Sequence, residues 1–161
     1  MSATRASARD TDVLVLGSGI GGLFLALTAA ERAQVTIVTK KDDFESNTNY
    51  AQGGIAVVHS ARDSFALHVK DTLVAGAGLC HPDVVRDVVR GGPGALDELM
   101  ALGVRFTKEH GKIELGREGG HSARRIAHAG DLTGREIERA LLAAAEAHPN
   151  VTILETPLAV D

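Results

Sequence analysis

The chain has 161 residues, 44% hydrophobic and 24% charged, with a formal net charge of −4, enough for one domain with its own core. The acidic balance offers no basic field to nucleic acid or to an anionic membrane surface, and aromatics at 3% are too sparse for a base-stacking platform. The lone cysteine, Cys80, excludes an internal disulfide and fits a reducing cytoplasm, while the longest apolar run, Leu23 to Ala30, is far too short to span a bilayer.

Residues 1–10 are polar and lack the apolar stretch of a secretory signal, so they read as a short disordered lead. Val13 to Leu16 is wholly apolar and stops at Gly17, which predicts a strand buried on both faces of a parallel sheet. Gly22 to Arg32 is almost all apolar and predicts a helix packed against that sheet. Val35 to Thr39 predicts the second strand of a right-handed βαβ unit. Lys41 to Glu45 reads as an exposed turn, and Ile55 to Val58 as a short strand.

Ser64 to Ala75 predicts a helix interrupted by Gly76 and Gly78. Pro82 to Arg90 predicts another, with Pro in its first turn and Val84, Val85, Val88 and Val89 on one face. Gly91-Gly92-Pro93-Gly94 reads as a break, followed by a further helix from Ala95 to Leu102 that ends at Gly103. Val104 to Leu115 should be extended, with a hairpin turn at His110-Gly111, and Gly116 to Asp131 a loop rich in Gly, His and Arg. Thr133 and Glu136 have capping-box spacing, which places a helix start at Thr133; Ile137, Ala140, Leu141 and Ala144 share a face. His148-Pro149-Asn150 ends that helix, and Val151 to Leu154 is a further buried strand. The sum is an α/β fold: a Rossmann-like domain with a mostly parallel sheet and a helical insertion after the second strand. Pro157 to Asp161 looks like the opening of another strand, so 11–161 reads as the truncated N-terminal part of a larger domain.

Gly17, Gly19 and Gly22 are in G-x-G-x-x-G register within Gly17-Ser18-Gly19-Ile20-Gly21-Gly22. The motif is weak alone, but here it leaves a predicted strand and opens a helix. In that context Gly17 turns the chain, Gly19 admits a diphosphate and Gly22 lets helix and strand approach. The helix N-terminus supplies N–H groups and partial positive charge to phosphate. The acid that usually ends strand two and holds the ribose is missing; Thr39-Lys40 stands there. The ribose is then left to a hydroxyl, to backbone groups or to Lys40, which can equally be a plain surface charge.

Ser46-Asn47-Thr48-Asn49-Tyr50-Ala51-Gln52-Gly53-Gly54 follows strand two and is dense in hydrogen-bonding groups. It suits either a polar surface loop or a ligand contact at the carboxyl edge of the sheet. Together, Gly-Ser-Gly-x-Gly-Gly-Leu, Thr39-Lys40 and this second loop resemble the succinate dehydrogenase, fumarate reductase and L-aspartate oxidase flavoproteins. Arg117-Glu118-Gly119-Gly120-His121-Ser122, Arg125-Ile126-x-His128-Ala129 and Asp131-x-Thr133-Gly134-Arg135-Glu136 are most similar to the L-aspartate oxidase branch. The resemblance covers Asp12 to Asp161.

The resemblance implies FAD contacts at Ser18, Gly19, Ile20 and Gly21, at Lys40, and along Asn47, Thr48, Asn49, Tyr50, Ala51, Gln52, Gly53 and Gly54. It implies oxidation of L-aspartate to iminoaspartate, with oxygen or fumarate as electron acceptor and quinolinate synthase as a candidate partner in NAD biosynthesis. The succinate dehydrogenase relatives bond a histidine of the second loop to the flavin. Asn47 stands at that position, and an amide is no nucleophile, so FAD is expected to be non-covalent. Succinate- and fumarate-handling relatives carry Phe where this chain has Glu118. On residue chemistry alone Glu118 reads as a loop charge paired with Arg117 or Arg124; the resemblance favours instead a carboxylate that pairs with the substrate ammonium, which succinate lacks. His121 is a weaker candidate for substrate contact. No catalytic residue is assigned within these 161 residues, and the chain alone is expected to bind FAD weakly and to be inactive.

Seven histidines show no metal-ligand spacing, so no metal is expected. Arg117, Arg124, Arg125, Arg135 and Arg139 read as a solvated or dicarboxylate-attracting surface rather than a nucleic-acid site. Cys80 reads as a small buried apolar residue. Two alternatives stay open: a fumarate reductase-like or succinate dehydrogenase-like flavoprotein, and a non-enzymatic nucleotide-binding module.

Overall fold

In the computed structural model, which describes residues 10–39, 47–48 and 50–155, the apolar run Val13–Leu16 is a strand, β1. Helix α1 follows at Ile20–Ala30 and strand β2 at Val35–Thr39. The chain divides into two compact units, Met1–Ser46 with Leu142–Asp161, and Asn47–Leu141. The expected disordered lead, the turn at Lys41 to Glu45, Lys40, Asn49 and the strand opening at Pro157 to Asp161 lie outside the described residues, apart from Asp10.

In the first unit β1 and β2 pair in parallel, in register from Val13 with Val35 to Leu16 with Val38. The last strand among the described residues, Val151–Glu155, adds to the other edge of β2, also parallel. The expected parallel α/β sheet is therefore present. Val15, Val35 and Ile37 are buried, as are Leu23, Ala26, Leu27 and Ala30 of α1. One expectation fails: β1 is not buried on both faces. It is the edge of this three-stranded sheet, and side chains alternate across a strand. Leu14 and Leu16 point away from the Val15 face and are 57% and 64% exposed.

The second unit begins with a two-residue strand, β3 (Ile55–Ala56), shorter than expected. Helix α2 (Phe65–Ala75) starts where the sequence placed it, because the Ser64 hydroxyl accepts from the Leu67 N–H at 3.2 Å. Helix α3 runs unbroken from Pro82 to Ala101, so the expected break at Gly91 to Gly94 is wrong. Val89, Leu96 and Leu99 are buried, and Gly92 lies against Val57. That is one stripe at helical spacing on both sides of Pro93, and its burial outweighs the donor that proline removes. The same stripe turns Val84 and Val88 outward, at 59% and 69% exposed. Cys80 is only half-buried.

Strands β4 (Lys108–Glu109) and β5 (Lys112–Ile113) form the expected hairpin. His110 and Gly111 have φ of 49° and 79°, as a two-residue loop that matches strand twist requires. Strands β6 (Leu115–Gly116) and β7 (Ile126–Ala127) interrupt what the sequence presented as one loop, and pair antiparallel with β3 in the order β3-β7-β6. Helix α4 is Thr133–Ala147, and the strand Val151–Glu155 is β8.

The capping box at α4 is not formed. The Thr133 hydroxyl accepts from the Ala129 N–H at 3.0 Å instead of serving the helix. The Glu136 carboxylate accepts from the Arg105 N–H at 2.9 Å and from Arg139 at 2.8 and 2.7 Å. A guanidinium partner is worth more to a carboxylate than a neutral cap amide, and it holds the Glu136 carboxyl below its usual range.

Candidate functional site

The glycine-rich turn is built as the motif demands. Gly17 has φ +103°, closed to most side chains, and its N–H donates to the Val38 carbonyl at 2.8 Å. At Gly22 a Cβ would collide with the Gly17 carbonyl oxygen and lie 3.3 Å from Val15 Cγ1. Only glycine therefore lets α1 approach β1 this closely. Gly19 is the N-cap of α1, with no side-chain cap bond, and the first turn holds no acid. A helix start whose own cap residue and first turn bring neither a capping side chain nor an acid fits a diphosphate. Ser18 is buried, and its hydroxyl donates to the Thr39 hydroxyl at 3.1 Å, which ties the turn to the end of β2. Ile20 and Gly21 are exposed at the helix start.

In the second unit, an open cleft of about 690 Å³ is lined by Gln52, Gly54, Arg117, Glu118, His128 and Asp131, among others. Two of the second-loop candidates, Gln52 and Gly54, thus share a surface with Glu118. Gly54 is a place of close approach, since a Cβ there would meet the Ala127 carbonyl oxygen and the Ile126 side chain. Asn47, Tyr50, Ala51 and Gly53 are exposed, and Thr48 is half-buried. The loop is braced from inside the unit: Ala51 donates to the Thr48 carbonyl and accepts from the Gly134 N–H, each at 3.1 Å.

Glu118 is exposed on a loop, residues 117–125, whose base is closed by the Arg125 N–H donating to the Gly116 carbonyl at 3.1 Å. The two arginines that could have neutralised it are engaged elsewhere. Arg117 Nε donates to the His121 carbonyl at 2.9 Å, and an Arg124 N–H donates to the Leu115 carbonyl at 3.2 Å. The loop carboxylate is thus left facing a cleft, where a cationic ligand group can meet it.

His121 does not line that cleft. Its Nδ1 lies 3.4 Å from an Arg125 nitrogen, and its ring centroid is 6.0 Å from that of His68. Arg125 corrects the expected surface cluster, because it is fully buried. Its guanidinium holds both oxygens of Asp63 at 2.9 and 2.8 Å and one oxygen of Asp71 at 2.7 Å. That Asp71 oxygen also accepts from the Ser122 N–H at 2.8 Å and the Ser122 hydroxyl at 2.7 Å. These Ser122 bonds, more than Arg125, pull the Asp71 carboxyl down to about 2. Burial first, and the neighbouring Arg125 second, push the His68 imidazole below its ordinary value.

Sequence reasoning missed two features here. His128 and Asp131 line the cleft, whereas the sequence offered them only as parts of the motifs that carry the resemblance. Asp63 and Asp71 partner Arg125 across 62 and 54 positions, and no local spacing signals such a pair. Arg and Asp in an exposed-looking stretch are ordinarily solvated, so only the three-dimensional arrangement separates Arg125 from its neighbours.

Comparison with known proteins follows the same lines. The FAD binding domain family matches residues 12–161. L-aspartate oxidase 2-a, chloroplastic, from Nicotiana tabacum is 51% identical over 156 residues, covering 96% of this chain and 24% of that protein. L-aspartate oxidase from Vibrio cholerae is 46% identical, covering 93% of this chain and 29% of that protein. Among solved structures, E. coli quinol fumarate reductase superposes with a TM-score of 0.86 at 29% identity, over 91% of this chain and 26% of that one. The chain spans about a quarter of the length of the relatives it matches.

Proposed function

This chain belongs to the FAD binding domain family, and from that premise we propose that it is the cofactor-holding part of an FAD-dependent L-aspartate oxidase. Gly17, Ser18, Gly19, Ile20, Gly21 and Gly22 hold the diphosphate through main-chain N–H groups at the start of α1. Asn47, Thr48, Tyr50, Ala51, Gln52, Gly53 and Gly54 contact the flavin, with Lys40 and Asn49 assigned to the cofactor by resemblance alone. When bound, FAD supplies the two-electron acceptor for hydride from the substrate α-carbon. Oxygen or fumarate then takes the electrons, and the iminoaspartate formed is passed on towards NAD, with quinolinate synthase as the receiving partner. Asn47 offers no nucleophile to the ring, so the cofactor is held without a covalent bond.

The observation that carries this reading is Glu118. It lies on the cleft beside Gln52 and Gly54, and both neighbouring arginines donate elsewhere. A carboxylate so placed pairs with the ammonium group of an amino dicarboxylate. It repels the third carboxylate-like group of a wrong ligand and gains nothing from a plain dicarboxylate. His121 supports the loop rather than the ligand.

The test uses the full-length enzyme that contains this chain. Replacing Glu118 by Gln is expected to lower kcat/KM for L-aspartate by about 100-fold, the scale of a lost charged hydrogen bond. Fumarate reduction should stay within about threefold. Equal loss of both activities, or of neither, removes the basis for an aspartate-selective site. Acid precipitation of the same enzyme should leave its FAD in the supernatant; flavin retained in the pellet refutes the non-covalent assignment. The fumarate reductase-like alternative is favoured by the E. coli structural likeness, and it predicts that fumarate activity survives while aspartate is never oxidised.

A further inference from the structure

One face of α2 forms the bed of the Glu118 loop. His68, Asp71 and Ala75 follow at spacings of three and four, which places them on one side of the helix. His121 lies over His68, Ser122 is held by Asp71 through two bonds, and Gly120 stands with its Cβ position 4.0 Å from Ala75. Inside the loop, the His121 N–H donates to the Glu118 carbonyl at 3.3 Å, and Arg117 closes back onto the His121 carbonyl. A continuous chain of bonds therefore runs from α2 through Ser122 and His121 to the backbone of Glu118.

The anchoring end of this chain is unusually firm. One Asp71 oxygen accepts three hydrogen bonds, from the Ser122 N–H, the Ser122 hydroxyl and Arg125. Arg125 is itself locked by the two-point contact with buried Asp63, and planar fork-to-carboxylate pairing fixes direction as well as distance. By contrast, Glu118 and the two glycines after it are exposed. A stretch bearing Gly119 and Gly120 has little stiffness of its own.

We propose that Asp71 and Ser122 are positioning residues for substrate selection, holding Glu118 where it meets the substrate ammonium group. This rests on the reading of Glu118 given above. The two carry no chemistry themselves. Their loss leaves the cleft and its dicarboxylate contacts in place but lets the Glu118 carboxylate wander. The cost should fall on ligands that bear an ammonium group, because selection of this kind requires the charged group to be fixed in advance.

The experiment compares Ser122→Ala, Asp71→Ala and Ser122→Thr with Glu118→Gln in the full-length, flavin-loaded enzyme. Dissociation constants for L-aspartate and for succinate are measured by calorimetry, with kcat/KM for aspartate oxidation and for fumarate reduction, and with melting temperatures. Ser122→Ala removes one bond, keeps the backbone bond and leaves the Arg125–Asp63 pair intact, so it should fold. It is expected to weaken aspartate about fivefold while succinate moves less than about twofold. Asp71→Ala should weaken aspartate by tenfold or more, on the order expected for a charged acceptor, and Ser122→Thr should restore selectivity. If Glu118→Gln loses aspartate selectivity but Ser122→Ala and Asp71→Ala keep it, the inference falls and the functional reading stands. If the two variants lower the melting temperature and weaken both ligands equally, their role is merely structural and the inference is again overturned. If Glu118→Gln itself keeps selectivity, the functional reading fails and the inference with it.

Discussion

Arg125 grips Asp63 through two parallel bonds of 2.9 and 2.8 Å across 62 residues of chain, and both side chains are fully buried. Removing one partner of such a pair leaves an uncompensated charge in a low-dielectric interior. Arg125→Leu is therefore expected to cost about 3–5 kcal/mol in urea unfolding. Arg125→Lys keeps the charge but cannot reproduce the fork, and should fall between Leu and wild type. A loss below about 0.5 kcal/mol for Leu, the scale of an ordinary surface change, would show that the pair is not the anchor of this unit.

The same cluster sets an acid response. Asp71 has a carboxyl value of about 2 against an ordinary 3.8, because Ser122 and then Arg125 favour its charged form. Its folded-state value is depressed, so its contribution is complete above the unfolded value and is lost as pH falls from about 4 to about 2. His68 adds a separate step. Its imidazole lies below the ordinary 6.5, chiefly from burial, so the unfolded chain takes up a proton that the folded one refuses. That contribution is full above about 6.5 and declines on acidification. Urea midpoints should therefore drop between about pH 7 and 5, and His68→Leu should flatten that limb. Parallel curves for wild type and His68→Leu would rule out a titrating His68.

Gly22→Ala tests the glycine-rich turn. The new methyl must displace the Gly17 carbonyl oxygen or push α1 off Val15. Forced overpacking of this kind costs about 1–3 kcal/mol. The same displacement moves the main-chain N–H groups assigned to the diphosphate, so flavin content in the full-length enzyme should fall with the melting temperature. Gly91→Ala, outside the residues assigned to the cofactor, is the control, because a Cβ there meets nothing within 4 Å. Equal flavin content in the two variants would separate the turn from the cofactor.

The two strands of the βαβ unit were legible to the residue, since Val13–Leu16 and Val35–Thr39 are apolar runs bounded by turn-forming or polar residues. So was the His110-Gly111 turn, where the local chemistry has one main solution. The candidate cleft was half legible: Gln52, Gly54 and Glu118 were singled out, while His128 and Asp131 were not. The strands β6 and β7 were illegible because two residues carry no periodicity. Thr133 and Glu136 matched a local motif but found better partners in Ala129 and Arg105, contacts that only the folded chain supplies. Arg125 was misread for the same reason.

Helix α3 gives the sharpest contest between local and tertiary signals. Gly91-Gly92-Pro93-Gly94 reads as a break, yet the helix continues through it. Gly91 and Gly94 have nothing within 4 Å of an added Cβ, and both are exposed. In a continuous helix, Gly91→Ala and Gly94→Ala should each stabilise the protein by about 0.5–1 kcal/mol, by limiting the freedom of the unfolded chain. Gly92 faces Val57 at 3.4 Å, so Gly92→Ala should gain less or lose. If the segment were a turn, alanine at either exposed site would destabilise instead. Urea midpoints of the three variants decide between the two, because a helix and a turn predict opposite signs at Gly91 and Gly94.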